Sequence, residues 1–153
     1  MTGGTGLLGL NWAAAVRDRC SVWLGVHRRR VALSGVESVA LDLESADGVA
    51  RTIVEIRPDL IVHAAGLSNV DDCERNPDHA YNVNTQIAAT VAEVAASEGV
   101  RLVHISTDHL FAGDHSMVDE NATPSPLNAY ARTKLAGERA VAKGCPQALI
   151  VRT

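Results

Sequence analysis

Residues 1–9, with the sequence MTGGTGLLG, decide the fold. Gly3, Gly6 and Gly9 form the pattern GxxGxxG at the start of a predicted helix. A turn without side chains lets the backbone approach a pyrophosphate, and a helix N-terminus offers free N–H groups and the positive end of its dipole. Glycine-rich loops also serve as plain turns, so the predicted strands and helices that follow are needed to distinguish a binding loop from a turn. The pattern favours a dinucleotide-binding loop, although only Met1-Thr2 stand where a strand should precede it.

Apolar runs of strand length alternate with helical stretches along the rest of the chain. The predicted strands are Val22–Val26, Val36–Leu41, Leu60–Ala65, Arg101–Ser106 and Ala148–Val151, and the predicted helices are Leu7–Arg19, Ser45–Ile56, His79–Ser97 and Asn128–Ala142. The strands are almost continuously apolar, which is typical of parallel strands buried on both faces. The repeated β-α-β order therefore predicts an α/β fold with a doubly wound parallel sheet, a Rossmann-like NAD(P)-binding fold.

Composition excludes several classes of protein. The 153 residues suit one domain, and 14 Lys+Arg against 18 Asp+Glu argue against a nucleic-acid binder. No apolar run reaches the ~18–20 residues of a membrane span, and no signal peptide is visible. The three cysteines form no CxxC pair, and His109 and His115 lack metal-ligand spacing. We therefore expect no metal, no membrane and a cytoplasmic protein.

A basic turn follows the first predicted strand. Dinucleotide folds specific for NAD place an acidic residue there to bind the ribose hydroxyls. This chain instead has His27-Arg28-Arg29-Arg30. Because guanidinium groups bind phosphate in a bidentate manner, Arg28 and Arg29 favour a 2′-phosphate. A solvated basic turn is the plain alternative. The predicted cofactor is NADP(H), with NAD(H) as the second choice.

A second motif lies in the last predicted helix. Tyr130 and Lys134 form YxxxK, and their spacing of one helical turn places both side chains on one face. An ammonium group beside tyrosine favours the phenolate, which suits acid–base chemistry. Thr107 and Asp108 end a buried strand, where open α/β sheets place reactive groups. The order of loop, strand-end hydroxyl and YxxxK is far more specific than any one motif.

These motifs together resemble the extended short-chain dehydrogenases/reductases, and more narrowly the dTDP-4-dehydrorhamnose reductase family. The segments that carry the resemblance run in the expected order along nearly the whole chain: Thr2–Gly9 (TGGTGLLG), Val62–Gly66 (VHAAG), Val70–Pro77 (VDDCERNP), Tyr81–Asn84 (YNVN), Ser106–Gly113 (STDHLFAG) and Tyr130–Glu138 (YARTKLAGE).

The resemblance implies roles for individual residues. Thr107, Tyr130 and Lys134 would be catalytic, with Asn84 steering a proton relay. Residues that would contact the cofactor are Gly3, Thr5, Gly6, Leu7, Leu8, Gly9, Arg28, Arg29, Asp42, Leu43, His63, Ala64, Ala65, Gly66, Thr107, Tyr130 and Lys134. Asn69 and Asp108 would lie near a sugar. His104, on an apolar strand, is expected to be a core residue.

The activity implied is reduction of a keto group on a nucleotide sugar, with dTDP-4-dehydro-L-rhamnose giving dTDP-L-rhamnose as the parent reaction. Two alternatives stay open. One is a nucleotide-sugar epimerase or 4,6-dehydratase, against which His109 argues because dehydratases commonly carry glutamate there. The other is a non-catalytic regulatory subunit such as that of methionine adenosyltransferase. Self-assembly into a homodimer is also left open.

The resemblance also sets an expectation about domain organisation. Residues 1–153 would form a partial NAD(P)-binding domain, with the first strand and a C-terminal substrate domain absent from the chain. The strands on either side of the first strand would then flank an unpaired gap. We therefore expect the 153-residue chain alone to show little reductase activity and a poorly cooperative thermal transition.

Overall fold

The computed structural model describes residues 1–114 and 116–153, so His115 lies outside the described residues. Strands and helices alternate along the described chain, except that the first two strands follow each other without a helix between them. The strands are β1 (Val22–Val26), β2 (Val36–Ala40), β3 (Leu60–His63), β4 (Arg101–Ser106) and β5 (Leu149–Arg152). The helices are α1 (Leu7–Val16), α2 (Ala46–Ile56), α3 (Val70–Arg75), α4 (Pro77–Tyr81), α5 (Ile87–Ser97) and α6 (Ala129–Gly144). No helix in the described ranges is long and apolar enough to cross a membrane.

The strands form two short parallel sheets, β1-β2 and β3-β4-β5. The predicted fold class is confirmed, and β1 and β4 have the predicted bounds. The predicted strand Leu60–Ala65 ends earlier, at His63, because the chain turns there to meet the glycine loop: Ala64 N and Ala65 N both donate to Thr2 Oγ1.

The first two residues bridge the two sheets, which corrects the expectation of a wholly unpaired gap. The Met1 amino group donates to Trp23 O at 2.6 Å, and Gly25 N donates to Met1 O at 2.8 Å. On the other side, Thr2 N donates to Val62 O at 3.0 Å. Met1 and Thr2 therefore occupy the central position at the carboxyl ends of β1 and β3.

Two apolar cores hold the layers together. The larger lies between the β3-β4-β5 sheet and helices α2, α5 and α6, with Val49, Ile87 and Val141 fully buried against Leu102 of β4. The smaller packs Ala13 of α1 on three buried side chains of β1. The carboxyl ends of the strands, and the loops that follow them, are therefore held in fixed positions.

The predicted helix His79–Ser97 is interrupted. Its first part is α4, its last part is α5, and Asn82–Gln86 between them forms a π-helical turn. Such turns insert one extra residue into a helix and often lie at functional sites. At another boundary the sequence prediction is confirmed: α2 ends before Pro58, where Arg57 has a left-handed backbone with φ 51°.

Candidate functional site

A cleft of about 420 Å³ opens where the glycine loop meets the carboxyl ends of the strands. Its volume is in the range of small-molecule sites. It is lined by side chains and backbone of Gly3, Thr5, Gly6, Leu7, Leu8, Gly9, His27, Leu43, Ala64, Ala65, Gly66, Tyr130 and Lys134, among others. The structure thus brings the first motif, the glycine loop, and the last motif, YxxxK, together at one cleft.

The glycine loop packs closely on the backbone around it. Gly3 has φ +69°, and a Cβ there would lie 2.8 Å from the carbonyl carbon of Ala64. A Cβ on Gly9 would lie 2.6 Å from Gly3 O. Gly6 is the N-cap of α1 and supplies no side-chain cap. The first N–H groups of α1 therefore lack a side-chain cap, as binding of a pyrophosphate requires.

Tyr130 and Lys134 lie on the first turns of α6, which begins after Asn128. The Asn128 side chain caps the helix by accepting a hydrogen bond from Ala131 N at 2.8 Å. Lys134 is buried, and its Nζ donates to Ile105 O at 2.7 Å. Burial lowers the pKa of Lys134 to about 8, and Glu138 one turn later partly opposes this. The ammonium group is thus fixed at the wall of the cleft.

Thr107 and Asp108 follow β4 into a short 3-10 turn. Thr107 Oγ1 accepts a hydrogen bond from His109 N at 3.2 Å, and its own hydrogen has only a long contact of 3.5 Å to Asp108. Asp108 and His109 line a second hollow of about 940 Å³ instead of the cleft. The His109 ring meets the Tyr130 ring edge-on at 5.7 Å, so the two hollows meet at Tyr130.

Asn84 lies in the π-helical turn and not in the cleft wall. Its Oδ1 accepts from Leu67 N at 2.7 Å, and its Nδ2 donates to Leu67 O and to Thr133 Oγ1, both at 3.1 Å. The side chain therefore ties the loop after β3 to α6 next to Lys134. Asn69, placed near a sugar by the resemblance, caps α3 by accepting a hydrogen bond from Asp72 N at 3.0 Å, and its place near a sugar stays a prediction.

Gly137 sets how closely α6 approaches that turn. A Cβ at Gly137 would lie 2.4 Å from Asn84 O, which is backbone and cannot move aside. We expect Gly137→Ala to lower the free energy of unfolding by about 1–3 kcal/mol, the usual cost of overpacking, as measured by urea denaturation. Gly144→Ala is the control, because its Cβ would come no nearer than 3.3 Å to Ala92 Cβ, 3.5 Å to Glu93 Cγ and 3.6 Å to Glu93 N. Equal stability for the two variants would contradict this close packing.

His63, expected to line the cofactor, lies beneath the cleft and is fully buried. Thr2 Oγ1 accepts two backbone N–H groups, so its hydrogen donates to His63 Nδ1 at 2.8 Å. The His63 ring is therefore neutral with its proton on Nε2. It stacks on His104 at 5.3 Å between ring centres. His104 was expected to be a core residue, and its complete burial confirms this prediction.

Burial is the main cause that lowers the pKa of both imidazoles. The pKa of His104 falls to about 3, and that of His63 falls well below its usual value, with further lowering from the neighbouring His104 and Lys134. His63 Nε2 and both ring nitrogens of His104 have no hydrogen-bond partner among the described residues. Both rings are thus held neutral in an environment that cannot stabilise a cation.

Glu44 is a carboxylate partner of the basic turn after β1, and it was not predicted from the sequence. Arg28 Nη2 contacts Glu44 Oε1 at 3.0 Å, and His27 Nε2 lies 3.8 Å from the same oxygen. Neither Arg28 nor Arg29 lines the cleft, whereas Leu43 does. Asp42, assigned to the adenine by the resemblance, accepts a hydrogen bond from Glu44 N at 2.9 Å, and its contact with an adenine stays a prediction. The basic turn therefore has an acidic neighbour from the loop after β2.

A buried ion pair was also missed. Glu138 of α6 accepts two hydrogen bonds from Arg152 of β5, both at 2.9 Å. Burial raises the pKa of Glu138, but the bonds from Arg152 outweigh this and leave that pKa below its usual value. The only sequence signal was the position of Glu138 one turn after Lys134. The pair anchors α6, which carries Tyr130 and Lys134, to the last strand.

Comparison with known proteins agrees with this geometry. The family described as RmlD substrate binding domain matches residues 1–153. A dTDP-4-dehydrorhamnose reductase of Salmonella typhimurium is 43% identical over 114 residues, which cover 73% of this chain and 38% of that protein. Methionine adenosyltransferase 2 subunit beta of Danio rerio is 36% identical over 152 residues, covering 99% of this chain and 46% of that protein.

A solved structure shows the same fold. The dTDP-4-dehydrorhamnose reductase of Bacillus anthracis, crystallised in complex with NADP, superposes with a TM-score of 0.77 at 30% identity. The superposition covers 99% of this chain and 51% of that one. The chain thus spans about half, or less, of the length of the proteins it matches.

Proposed function

Because the chain belongs to the dTDP-4-dehydrorhamnose reductase family, we propose that it supplies the NADP(H)-binding and proton-donating part of a nucleotide-sugar keto reductase. The parent reaction would reduce dTDP-4-dehydro-L-rhamnose to dTDP-L-rhamnose. The observation that carries this proposal is a single cleft lined by the glycine loop and by both Tyr130 and Lys134. Substrate selection would then depend on residues beyond the half of the relatives that this chain matches.

The residues of the cleft fit a dinucleotide. The uncapped first turn of α1 and the exposed backbone of Gly6 would hold the pyrophosphate. Lys134 would bind the ribose next to the nicotinamide, since its Nζ lies at the cleft wall. Ala64 and Gly66 leave room for the ring system because their side chains are small. When bound, the cofactor supplies the hydride for reduction.

The proton comes from the protein. Tyr130 would donate its phenolic proton to the oxygen of the keto group as the hydride arrives at the carbon. Thr107 would donate its hydroxyl hydrogen to the same oxygen, since that hydrogen makes only a 3.5 Å contact in the structure. Lys134, held by Ile105 O, would stabilise the phenolate that remains. Asn84 would keep α6 aligned with the loop after β3.

Oxidation of NADPH, followed at 340 nm with dTDP-4-dehydro-L-rhamnose as substrate, tests this function. The methionine adenosyltransferase relative, which covers nearly the whole chain, supports a regulatory subunit as the second candidate. NADPH binding without oxidation for a panel of nucleotide sugars, together with co-purification of a partner enzyme, would favour that candidate. Product analysis by mass spectrometry separates a reductase from an epimerase or dehydratase.

The basic turn leads to a prediction about cofactor choice. We expect NADPH to bind more tightly than NADH, and Arg28→Ala with Arg29→Ala to weaken NADPH binding by about 1–3 kcal/mol, the scale of lost charge-assisted hydrogen bonds. NADH binding should change little, because it lacks the 2′-phosphate. Isothermal titration calorimetry measures both. Equal affinities for NADPH and NADH in the parent would contradict the phosphate assignment.

We further propose that the protein acts in the cytoplasm. All three cysteines are free thiols, and Cys73 and Cys145 are buried, which fits a reducing compartment. Fractionation of cells with an antibody against the protein tests this location.

A further inference from the structure

We propose that Glu44 is a specificity-determining residue: it competes with the 2′-phosphate of NADPH for Arg28 and favours the unphosphorylated ribose of NADH. The inference rests on the proposed dinucleotide site and deepens it. Glu44 was in none of the motifs that carried the family resemblance. It is brought to the site only by the fold.

The ribose end of the cleft follows from the order of its walls. Tyr130 and Lys134 mark the nicotinamide end, and the glycine loop in the middle faces the pyrophosphate. His27 and Leu43 line the cleft on the side of β1 and β2, across the glycine loop from Tyr130 and Lys134, so this wall would face the adenosine ribose. Glu44 follows Leu43 directly in the chain. Its carboxylate therefore lies at the edge of the ribose position.

The Glu44 side chain is directed toward the basic turn, where it forms an ion pair with Arg28. Its Oε1 lies 3.0 Å from Arg28 Nη2 and 3.8 Å from His27 Nε2. Its backbone is fixed as well, because Glu44 N donates to Asp42 Oδ1 at 2.9 Å. Since Leu41 O contacts His27 Nδ1 at 3.2 Å, the other ring nitrogen of His27 is the one directed to Glu44. The carboxylate is thus placed by local structure.

The charges of Arg28 and Glu44 act in opposite directions on the 2′-phosphate of NADPH and on the ribose hydroxyl of NADH. Arg28 can serve a 2′-phosphate only if its guanidinium leaves Glu44, and the phosphate must also approach a carboxylate of like charge. A ribose hydroxyl meets no such repulsion and can donate to the carboxylate. The side chains of Arg28 and Glu44 are 75% and 52% exposed, so both can change rotamer without disturbing the core.

The test compares Glu44→Gln with the parent, using NADPH and NADH in calorimetry. We expect Glu44→Gln to bind NADPH more tightly and NADH more weakly, so that the ratio of the two dissociation constants shifts about tenfold toward NADPH. The fragments 2′,5′-ADP and 5′-AMP should show the same shift, because they differ only at the 2′-position. Glu55→Gln, an exposed acid on α2 that removes the same charge, is the matched control and should leave the ratio unchanged.

A double-mutant cycle locates the effect on Arg28. In an Arg28→Ala background, Glu44→Gln should tighten NADPH binding less than it does in the parent, because only the direct repulsion between the carboxylate and the 2′-phosphate remains to be relieved. An unchanged NADPH-to-NADH ratio in Glu44→Gln, with both cofactors still bound by the parent, would overturn this inference alone. A ratio that shifts equally in Glu55→Gln would also overturn it, because the effect would then be one of net charge. Absence of binding by either cofactor to the parent would overturn the proposed function, and this inference with it.

Discussion

In a full-length version of this protein, replacing Tyr130 by Phe is expected to lower reductase turnover by about 100-fold or more, the usual contribution of a positioned general acid. The variant removes only the hydroxyl, and the described structure gives that hydroxyl no hydrogen bond on which folding depends. The affinity for NADPH should therefore stay close to that of the parent. Steady-state kinetics with a nucleotide-sugar ketone, and calorimetry with NADPH, measure the two effects separately.

Lys134→Ala is the comparison variant for this prediction. Because Lys134 would bind the ribose as well as support Tyr130, it should lower both turnover and NADPH affinity. Thr90→Val removes a hydroxyl of α5 that donates to Gln86 O, and it is a control for loss of a hydroxyl elsewhere. A Tyr130→Phe protein with a kcat near that of the parent would remove the tyrosine from the mechanism.

Acidification from pH 7.5 to pH 5 is expected to reduce the free energy of unfolding by about 2–4 kcal/mol. His63 and His104 are neutral in the folded protein, where burial lowers the pKa of each. In the unfolded chain each imidazole regains its ordinary pKa near 6.5 and binds a proton as the pH falls. The unfolded state then binds more protons than the folded state, so stability present above pH 6.5 is lost below it. Each ring accounts for at most about 2 kcal/mol at pH 5.

The other titratable groups with shifted pKa values do not reverse the direction of this pH dependence of stability. The pKa of Glu138 is lowered in the folded protein, so its contribution is lost only as the pH falls through the carboxylate range below pH 5. The Met1 amino group, whose pKa burial lowers to about 6, adds to the loss in the upper part of the window. The two histidines therefore dominate between pH 6.5 and pH 5.

The His104→Leu variant isolates one ring of the pair. It removes two buried ring nitrogens that lack partners among the described residues, and it should roughly halve the loss assigned to the histidines. His79→Gln on α4 is the control and should retain the full loss. Urea denaturation at pH 7.5, 6.5 and 5 measures all three proteins. If the parent lost less than about 1 kcal/mol over this range, the neutral buried pair would be excluded.

The sequence alone determined the fold class and the main chemical motifs. Strand-length apolar runs identify the parallel strands, and β1 and β4 have their predicted bounds, although β2 and β5 are not buried on both faces. Glycine spacing and the one-turn separation of Tyr130 from Lys134 are local properties of the chain. Periodicity and short motifs of this kind need no knowledge of distant residues.

Only the tertiary structure decided which distant residues meet. Glu44 reaches Arg28 across 16 positions, and Thr2 reaches His63 across 61. His63 belongs to a motif associated with the cofactor, yet its alternation along β3 directs the ring beneath the cleft and onto His104. The π-helical turn at Asn84 was likewise invisible in the helical pattern. Contacts between elements depend on strand register and helix packing, which no local spacing in the chain encodes.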